Sequence, residues 1–448
     1  MSRPTSEAEY LARLVPPSVA GLGRRSVLGG GLGLSAAALL AACGGGSSPS
    51  SSGTGGGGSA SAGGTVTFGS NASDDVPKKT LQTLLTAADQ KLGTTTKVNT
   101  VDHNTFQEQI NNYLQGKPDD VFTWFAGYRM RFFAAQGLAG DVTDVWSNLQ
   151  GFTDAFKTAS TGDDGKQYFV PASYYPWAVF YRKSVWSKYG YQVPKTLDDM
   201  KTLATKMKSD GLIPIAFADK DGWPAMGTFD VLNLRINGYQ YHVDLMAHKK
   251  PWTDPGVTKV FQTWAELLPV HQDGSLGRTW QEAAQALQQK KAGMYLLGLF
   301  VTQQFPKADL ADVDFFTFPE VDSNIGADAL DAPIDGYMLS KKPTNEAGAK
   351  ALLGYLGSPD AGTLYAKTDP TTLIANSKAD LSSYTALQKK AADLVGSAKN
   401  VSQFLDRDTR PDFASTVMIP ALQGFIKNPS DINGLQTSLE NQAKSIFV

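Results

Sequence analysis

Apolar residues in this chain recur in two rhythms, and the alternation between them outlines a fold. "TVTFGS" (Thr65 to Ser70) alternates as a short strand does, and "TLQTLLTAADQKLG" then sets Leu81, Leu84, Leu85, Ala88 and Leu92 on one helical face. "TKVNTVD" reads as a second strand, and "FQEQINNYLQG" as a second helix with Phe106, Ile110, Tyr113 and Leu114 aligned. "DDVFTWF" (Asp119 to Phe125) reads as a third strand. A β-α-β-α-β run predicts an α/β domain with a parallel sheet between layers of helix. Ligands of such sheets sit beyond the carboxyl ends of the strands, which here points to Asn71, to Asp102 and His103, and to Trp124 through Arg129.

The same style continues downstream. "TLDDMKTLATKMKSDG" predicts an amphipathic helix opened by Thr196, with Asp199 completing a capping box. "IPIAFAD" predicts a strand running into "GWP". "AAQALQQKKAGMYLLGLF" predicts a helix, a turn and a strand ending at Gly298, and "AGAKALLGYLGSP" a helix stopped by Gly357 and Pro359. No repeat with a 20–50 residue period is visible.

The first 64 residues follow neither rhythm. Arg24 and Arg25 precede "SVLGGGLGLSAAALLAA", an uncharged run of small and apolar residues. A basic pair, a short apolar run and a small-residue site predict an export signal. The run is shorter than the ~20 residues a membrane span requires, and its glycines make a poor helix. "GRRSVLG" loosely resembles a twin-arginine signal. "LAAC" resembles a bacterial lipobox, whose thiol is acylated, and Cys43 is the only cysteine in the chain. An intrachain disulfide is therefore excluded, and stability must come from packing. Residues 44–64 are nearly all Gly, Ser and Ala, a composition that predicts a flexible tether. Such a leash would hold a folded body roughly 25 Å from its anchor.

Charge and chemistry narrow the function. With 41 Lys and Arg against 43 Asp and Glu, scattered along the chain, there is no nucleic-acid footprint. The four histidines (103, 242, 248 and 271) lack metal-site spacing, and no cofactor motif is present. No nucleophile elbow or phosphate loop occurs, and paired carboxylates such as Asp163–Asp164 and Asp198–Asp199 suit turns and helix starts. These observations argue against an enzyme. Aromatics are plentiful, at 10% of the chain with 8 Trp and 16 Tyr.

Five blocks, in order, resemble the extracellular solute-binding lipoproteins of carbohydrate ABC importers, the family 1 group that includes the maltose-binding protein. They are "PDDVFTWFAGYRMRFFAAQGLAGDVTDVW", "GKQYFVPASYYPWAVFYRKSVWSKYG", "VPKTLDDM…GLIPIAF…GWP", "ALQQKKAGMYLLGLF" and "FFTFPEVDSN…APIDGYMLSKKPTNEAGAKALLGYLGSPDA". The resemblance implies a two-lobed periplasmic-binding-protein-like fold of type II, with the ligand in a cleft between lobes joined by hinge crossings. It places lobe I at about 65–171 plus 325–370 and lobe II at about 175–320 plus 376–448. It also implies a monomer that captures a mono- or oligosaccharide outside the cell and delivers it to an ABC permease while held to the membrane by Cys43. A receptor of the same fold for a polyol, peptide or opine, or a secreted hydrolase, is the alternative.

Sugar rings lie their C–H faces on aromatics and offer hydroxyls to polar groups. Block by block, the resemblance nominates Trp124, Tyr128 and Arg129 in lobe I, Tyr174, Tyr175 and Trp177 at the crossing, and Trp223 and Phe300 in lobe II. At least one of the three crossing aromatics is expected to face the ligand, while alternation along a strand argues against all three doing so. Asn71, His103 and Asp335 end strands directed at the cleft, and Arg407 lies in the charged loop "DRDTR". The remaining tryptophans (146, 186, 252, 264 and 280) are expected in the core.

Overall fold

The computed structural model describes residues 63–327 and 329–447. The export signal, Cys43 and the tether as far as residue 62 lie outside the described residues. The first strand, β1 (Gly64–Ser70), leads into α1 (Asp75–Leu92), β2 (Thr94–Thr100), α2 (His103–Gln115), β3 (Val121–Phe125) and α3 (Tyr128–Ala135). Then come β4 (Phe169–Tyr174), β5 (Trp177–Arg182), α4 (Leu197–Ser209), β6 (Ile213–Ala216), α5 (Trp223–Asn237), α6 (Tyr239–Met246) and α7 (Pro255–Leu267). The rest of the frame is α8 (Trp280–Gln288), β7 (Ala292–Gly298), β8 (Val313–Phe316), β9 (Ala329–Asp331), β10 (Ile334–Leu339), α9 (Glu346–Leu356), β11 (Leu373–Ile374), β12 (Asn400–Ser402), the single turn α10 (Leu405–Asp408) and α11 (Ile432–Ile446).

Two main sheets organise these elements. The larger has strand order β11-β4-β10-β3-β1-β2 and the smaller β6-β7-β5-β8. In the larger sheet β1 pairs in parallel with β2 and β3, as the alternating rhythm predicts. β10 then inserts antiparallel between β3 and β4, so the complete sheet is mixed. Local periodicity cannot foresee a strand that arrives from more than 200 residues away. The chain passes from the larger sheet to the smaller between Tyr174 and Trp177 and returns after Phe316. A third, two-stranded sheet pairs β9 with β12 and lies against α5.

Local signals set the helix ends. The Thr196 hydroxyl accepts the Asp199 N–H at 3.2 Å and the Asp199 carboxylate accepts the Thr196 N–H at 3.0 Å, the reciprocal cap the sequence predicts. An identical device at Thr279 and Glu282 starts α8 at Trp280, three residues before the first apolar residue in the predicted run. Helix α1 buries Leu81, Leu84, Leu85 and Ala88 against the larger sheet and stops at Gly93, which holds φ 69°.

The cores follow the sheets. Val66, Phe68, Leu84, Val121 and Leu352 belong to the core on one face of the larger sheet, and Phe106, Trp124, Phe133 and Met338 to the core on the other. The smaller sheet sits in an extensive core that includes Phe180, Phe229, Phe261 and Trp264. Trp264 is fully buried on α7, with its ring 5.2 Å from Phe425 and 6.4 Å from Phe217. Replacing it with Ala is expected to cost ~3–5 kcal/mol. At 2–4 °C per kcal/mol, thermal melting of Trp264→Ala should fall by roughly 10 °C. An unchanged melting temperature would show that this core is not what holds the smaller sheet together.

Candidate functional site

A cavity of about 480 Å³ opens between the two sheets, and residues from both line it. One wall is an aromatic shelf built around Phe300, which follows β7 directly. Its ring meets Tyr175 at 5.1 Å, Trp280 at 5.2 Å and Trp223 at 5.9 Å, all edge-on. Trp177 extends the shelf, 6.4 Å from Trp223 and 5.0 Å from Phe404. Edge-to-face geometry fixes these rings against each other, leaving Phe300, Tyr175 and Trp223 only half-buried.

Two glycines make the shelf sterically feasible. A Cβ on Gly298 would lie 2.3 Å from the Phe300 ring and 2.9 Å from that of Tyr175. A Cβ on Gly227 would lie 2.3 Å from the ring of Trp177. Either contact would displace an aromatic face, so neither position accepts a side chain without moving the shelf.

The facing wall is polar and centres on Arg407. The turn α10 presents this buried guanidinium with Nη1 2.9 Å from Asp335 Oδ1 and Nη2 donating to the Tyr175 hydroxyl at 3.2 Å. Its carbon lies 4.0 Å from the centre of the Phe125 ring, in cation–π contact. Burial alone would weaken the guanidinium's hold on its proton, but Tyr175, Asp335 and Asp406 outweigh it and raise the pKa further. Asp335 keeps about a third of its side chain open to the cavity, with 34% exposed. Burial raises its pKa, against the opposing pull of Arg407 and His103. His103, at the start of α2, has its pKa lowered by burial, which favours a neutral imidazole over the cavity. Asn71 is placed by its backbone N–H, which donates to Thr123 Oγ1 at 2.9 Å.

Nine of the twelve predicted site residues line this cavity: Asn71, His103, Trp124, Tyr175, Trp177, Trp223, Phe300, Asp335 and Arg407. Trp124 does so from below. It is 1% exposed and packs among Phe106, Phe125 and Phe133, so it forms floor rather than shelf. Three residues lie elsewhere. Tyr174 points away from Tyr175 and Trp177 and meets Phe156 at 5.5 Å. Strand alternation sends it to the opposite face. Tyr128 is buried on α3 beside Phe132, outside the cavity lining. Arg129 turns into a side recess, where it pairs with Asp406 at 3.0 Å and donates to Gln107 Oε1 at 2.6 Å.

The structure also adds residues that periodicity did not single out. Trp280 is buried in the core as expected, and because the Thr279–Glu282 cap puts it in the first turn of α8 it also borders the cavity. That T-x-x-E spacing was the available signal. Its neighbour Gln281 reaches across the mouth and donates to Asp74 Oδ1 at 3.1 Å. Asn104, on α2, and Asp221, which precedes α5, both line the cavity near this rim. Phe125 falls in the stretch at the end of β3 to which the sequence pointed, and Gln303 joins the lining through tertiary packing. Among the described residues, no group of three or more His, Cys, Asp or Glu side chains is arranged to hold a metal ion.

This geometry has known counterparts. The chain aligns with the bacterial solute receptor AcbH, reported to have an exclusive preference for β-D-galactopyranose, at 51% identity and a TM-score of 0.84, covering 86% of this chain and 100% of that one. A chitin oligosaccharide binding protein shares the fold at 22% identity and a TM-score of 0.77, covering 85% and 99%. An uncharacterized ABC transporter extracellular-binding protein from Pyrococcus horikoshii is 26% identical over 254 residues, which are 55% of this chain but only 56% of that protein's length. The alpha-glucosides-binding periplasmic protein AglE of Rhizobium meliloti is 24% identical over 318 residues, 64% of this chain and 68% of the relative. The model of the bacterial extracellular solute-binding protein family matches residues 72–363. With that match covering well over half of a two-lobed α/β chain with a cleft between its sheets, the protein belongs to the bacterial extracellular solute-binding proteins.

Proposed function

We propose that this protein is a lipid-anchored receptor that captures a neutral sugar, β-D-galactopyranose first among candidates, and delivers it to an ABC import permease. The observation that carries the reading is the aromatic shelf of Tyr175, Trp223, Trp280 and Phe300 facing the Asp335–Arg407 pair. One wall offers stacking surface and the other offers hydrogen bonds, which is the pairing a pyranose needs. The 51% identity to a galactopyranose receptor, over that receptor's whole length, supports the choice of sugar.

Charge supports neutrality of the ligand. Asp335 is engaged by Arg407, Asp406 by Arg129, Asp102 by the Thr105 N–H and Asp369 by the Thr371 N–H. An anion would meet these carboxylates, while a cation would compete with Arg407 for Asp335. Hydroxyls can share both groups without displacing either. As part of the same reading, lobe I comprises 65–171 plus 325–370 and lobe II 175–320 plus 376–448, and β9, near the start of the second lobe I segment, contacts α5. The rim contact at Gln281–Asp74 then belongs to a closed state. No described helix is long and apolar enough to cross a membrane, and Cys43 would carry the anchor.

Calorimetric titration with D-galactose, alongside a thermal-shift panel of sugars, tests the ligand. Trp223→Ala should weaken binding by ~2 kcal/mol, roughly thirtyfold in Kd. The ligand-free melting temperature should stay nearly unchanged, because Trp223 is half-buried at a helix start. Early melting with intact affinity would instead assign Trp223 to the core and misplace the site. Solution scattering should show a smaller radius of gyration with the cognate sugar than without it. Equal radii would argue against closure. Cys43→Ala should move the protein from the membrane fraction to the medium with its affinity unaltered. Retention at the membrane would refute the lipobox.

A further inference from the structure

Behind the cleft, a line of buried polar side chains runs from the start of α7 to the turn that carries Arg407. The Asn237 amide donates to the Gly256 carbonyl at 3.1 Å and to Asn233 Oδ1 at 2.9 Å. Those bonds orient both amides, so Asn233 turns its Nδ2 toward His242 Nδ1, 3.1 Å away. Asp230 Oδ1 lies 4.0 Å from the same Nδ1; burial alone would lower the pKa of the imidazole, but Asp408 and Asp230 outweigh it and raise the pKa. Nε2 lies 3.5 Å from Asp408 Oδ2, and the same oxygen accepts the Gln403 N–H at 3.0 Å. Asp230, also on α5, accepts the Leu405 N–H at 2.6 Å. The turn α10 is thus held at its first residue by Asp230, while Asp408 at its last lies within ion-pair distance of His242. Thr409 adds a tether, donating to the Met246 carbonyl at 2.7 Å.

None of Asp230, Asn233, His242, Asn237 and Asp408 lines the cavity. Buried polar groups cost stability that apolar side chains of the same shape would not, so their presence asks for an output. Two carboxylates, Asp230 and Asp408, deliver the line directly to the backbone of the segment around Arg407.

We propose that Asn237, Asn233, His242 and Asp408, together with Asp230, are positioning residues for Arg407. They set the attitude of the Leu405–Asp408 turn, and so the angle at which the guanidinium meets Asp335, Tyr175 and the ligand. The inference rests on the sugar-receptor reading for its ligand, whereas the line of contacts stands without it. Breaking the line at His242 removes the support under Asp408, so the turn rotates while the cavity residues remain chemically intact.

The test compares wild type, His242→Leu, His242→Gln and Arg407→Ala. D-galactose affinity is measured by calorimetry. The ligand-free position of the Arg407 Nε–H signal is followed by ¹H–¹⁵N NMR, assigned by its loss in Arg407→Ala. Because the contacts form one packed polar network, His242→Leu should weaken galactose binding by about tenfold and shift the Arg407 signal. His242→Gln keeps an amide N–H for Asp408 and should stay within about threefold of wild type, with the signal near its original place. A folded His242→Leu that changes neither readout overturns the proposal, and so does a Gln variant as impaired as the Leu variant. Should His242→Leu fail to fold, Asn237→Ser at the half-buried far end reads the same line: a moved Arg407 signal supports it and an unmoved one refutes it. If wild type does not bind galactose, the choice of sugar is wrong, and the Arg407 signal alone decides the positioning role.

Discussion

A guanidinium buried between two sheets constrains much of this molecule. Arg407 loses its hydration, and that loss has to be offset by charge, hydrogen bonds and a polarizable surface placed around it. Asp335 supplies the charge, the Tyr175 hydroxyl an acceptor and Phe125 a ring face. These partners come from β10, from the crossing between the sheets and from β3. Removing one partner of a buried pair typically costs ~3–5 kcal/mol, because the other charge stays behind. Three distant segments are therefore held in register by one side chain, and the place where they meet is the floor and polar wall of the cleft. Phe125 serves twice, since the Arg129 guanidinium also lies 5.3 Å from its ring.

The opposite wall obeys a different constraint. Aromatic rings with water on one side keep their orientation only if the other side is packed. Here Phe300 is held by Tyr175, Trp223 and Trp280 edge-on, and the backbone withdraws at Gly298 and Gly227 to admit the rings. The surface is thus preorganised, and a ligand that stacks on it is spared the cost of ordering loose side chains. Each ring at such a wall supports its neighbour as well as presenting a face.

Tyr175 joins the two constraints. Its ring belongs to the aromatic shelf and its hydroxyl to the Arg407 cluster, while its backbone lies in the two-residue passage from β4 to β5. Any change in the angle between the sheets moves the residues after Tyr174 relative to those before it. The geometry of the polar wall is therefore tied to the relative position of the sheets, with the Gln281–Asp74 contact at the rim as a further link between them.

Periodicity and short-range chemistry by themselves determined the secondary elements of the first βαβαβ run, the helix caps and stops, and the strand ends that point at the cavity. Asn71 and His103 were legible because a strand's end or a helix's start is a local event, whereas Phe300 was nominated by the family resemblance. Alternation also implied that the three crossing aromatics would not share one face, without saying which would turn inward. Register against β10 and β11 decided that, sending Tyr174 to Phe156 and Tyr175 to the cleft. Arg129 looked like a cleft residue beside Trp124, yet Asp406, 277 positions later, draws it into the side recess. Trp280 is core as expected, and the position of α8 also brings its first turn to the cavity. Antiparallel insertion of β10, the pairing of Arg407 with Asp335 and the line from Asn237 to Asp408 all join residues remote in sequence. A charge or an amide carries no local mark of its partner, because the energy that selects the partner exists only after folding has excluded water from both.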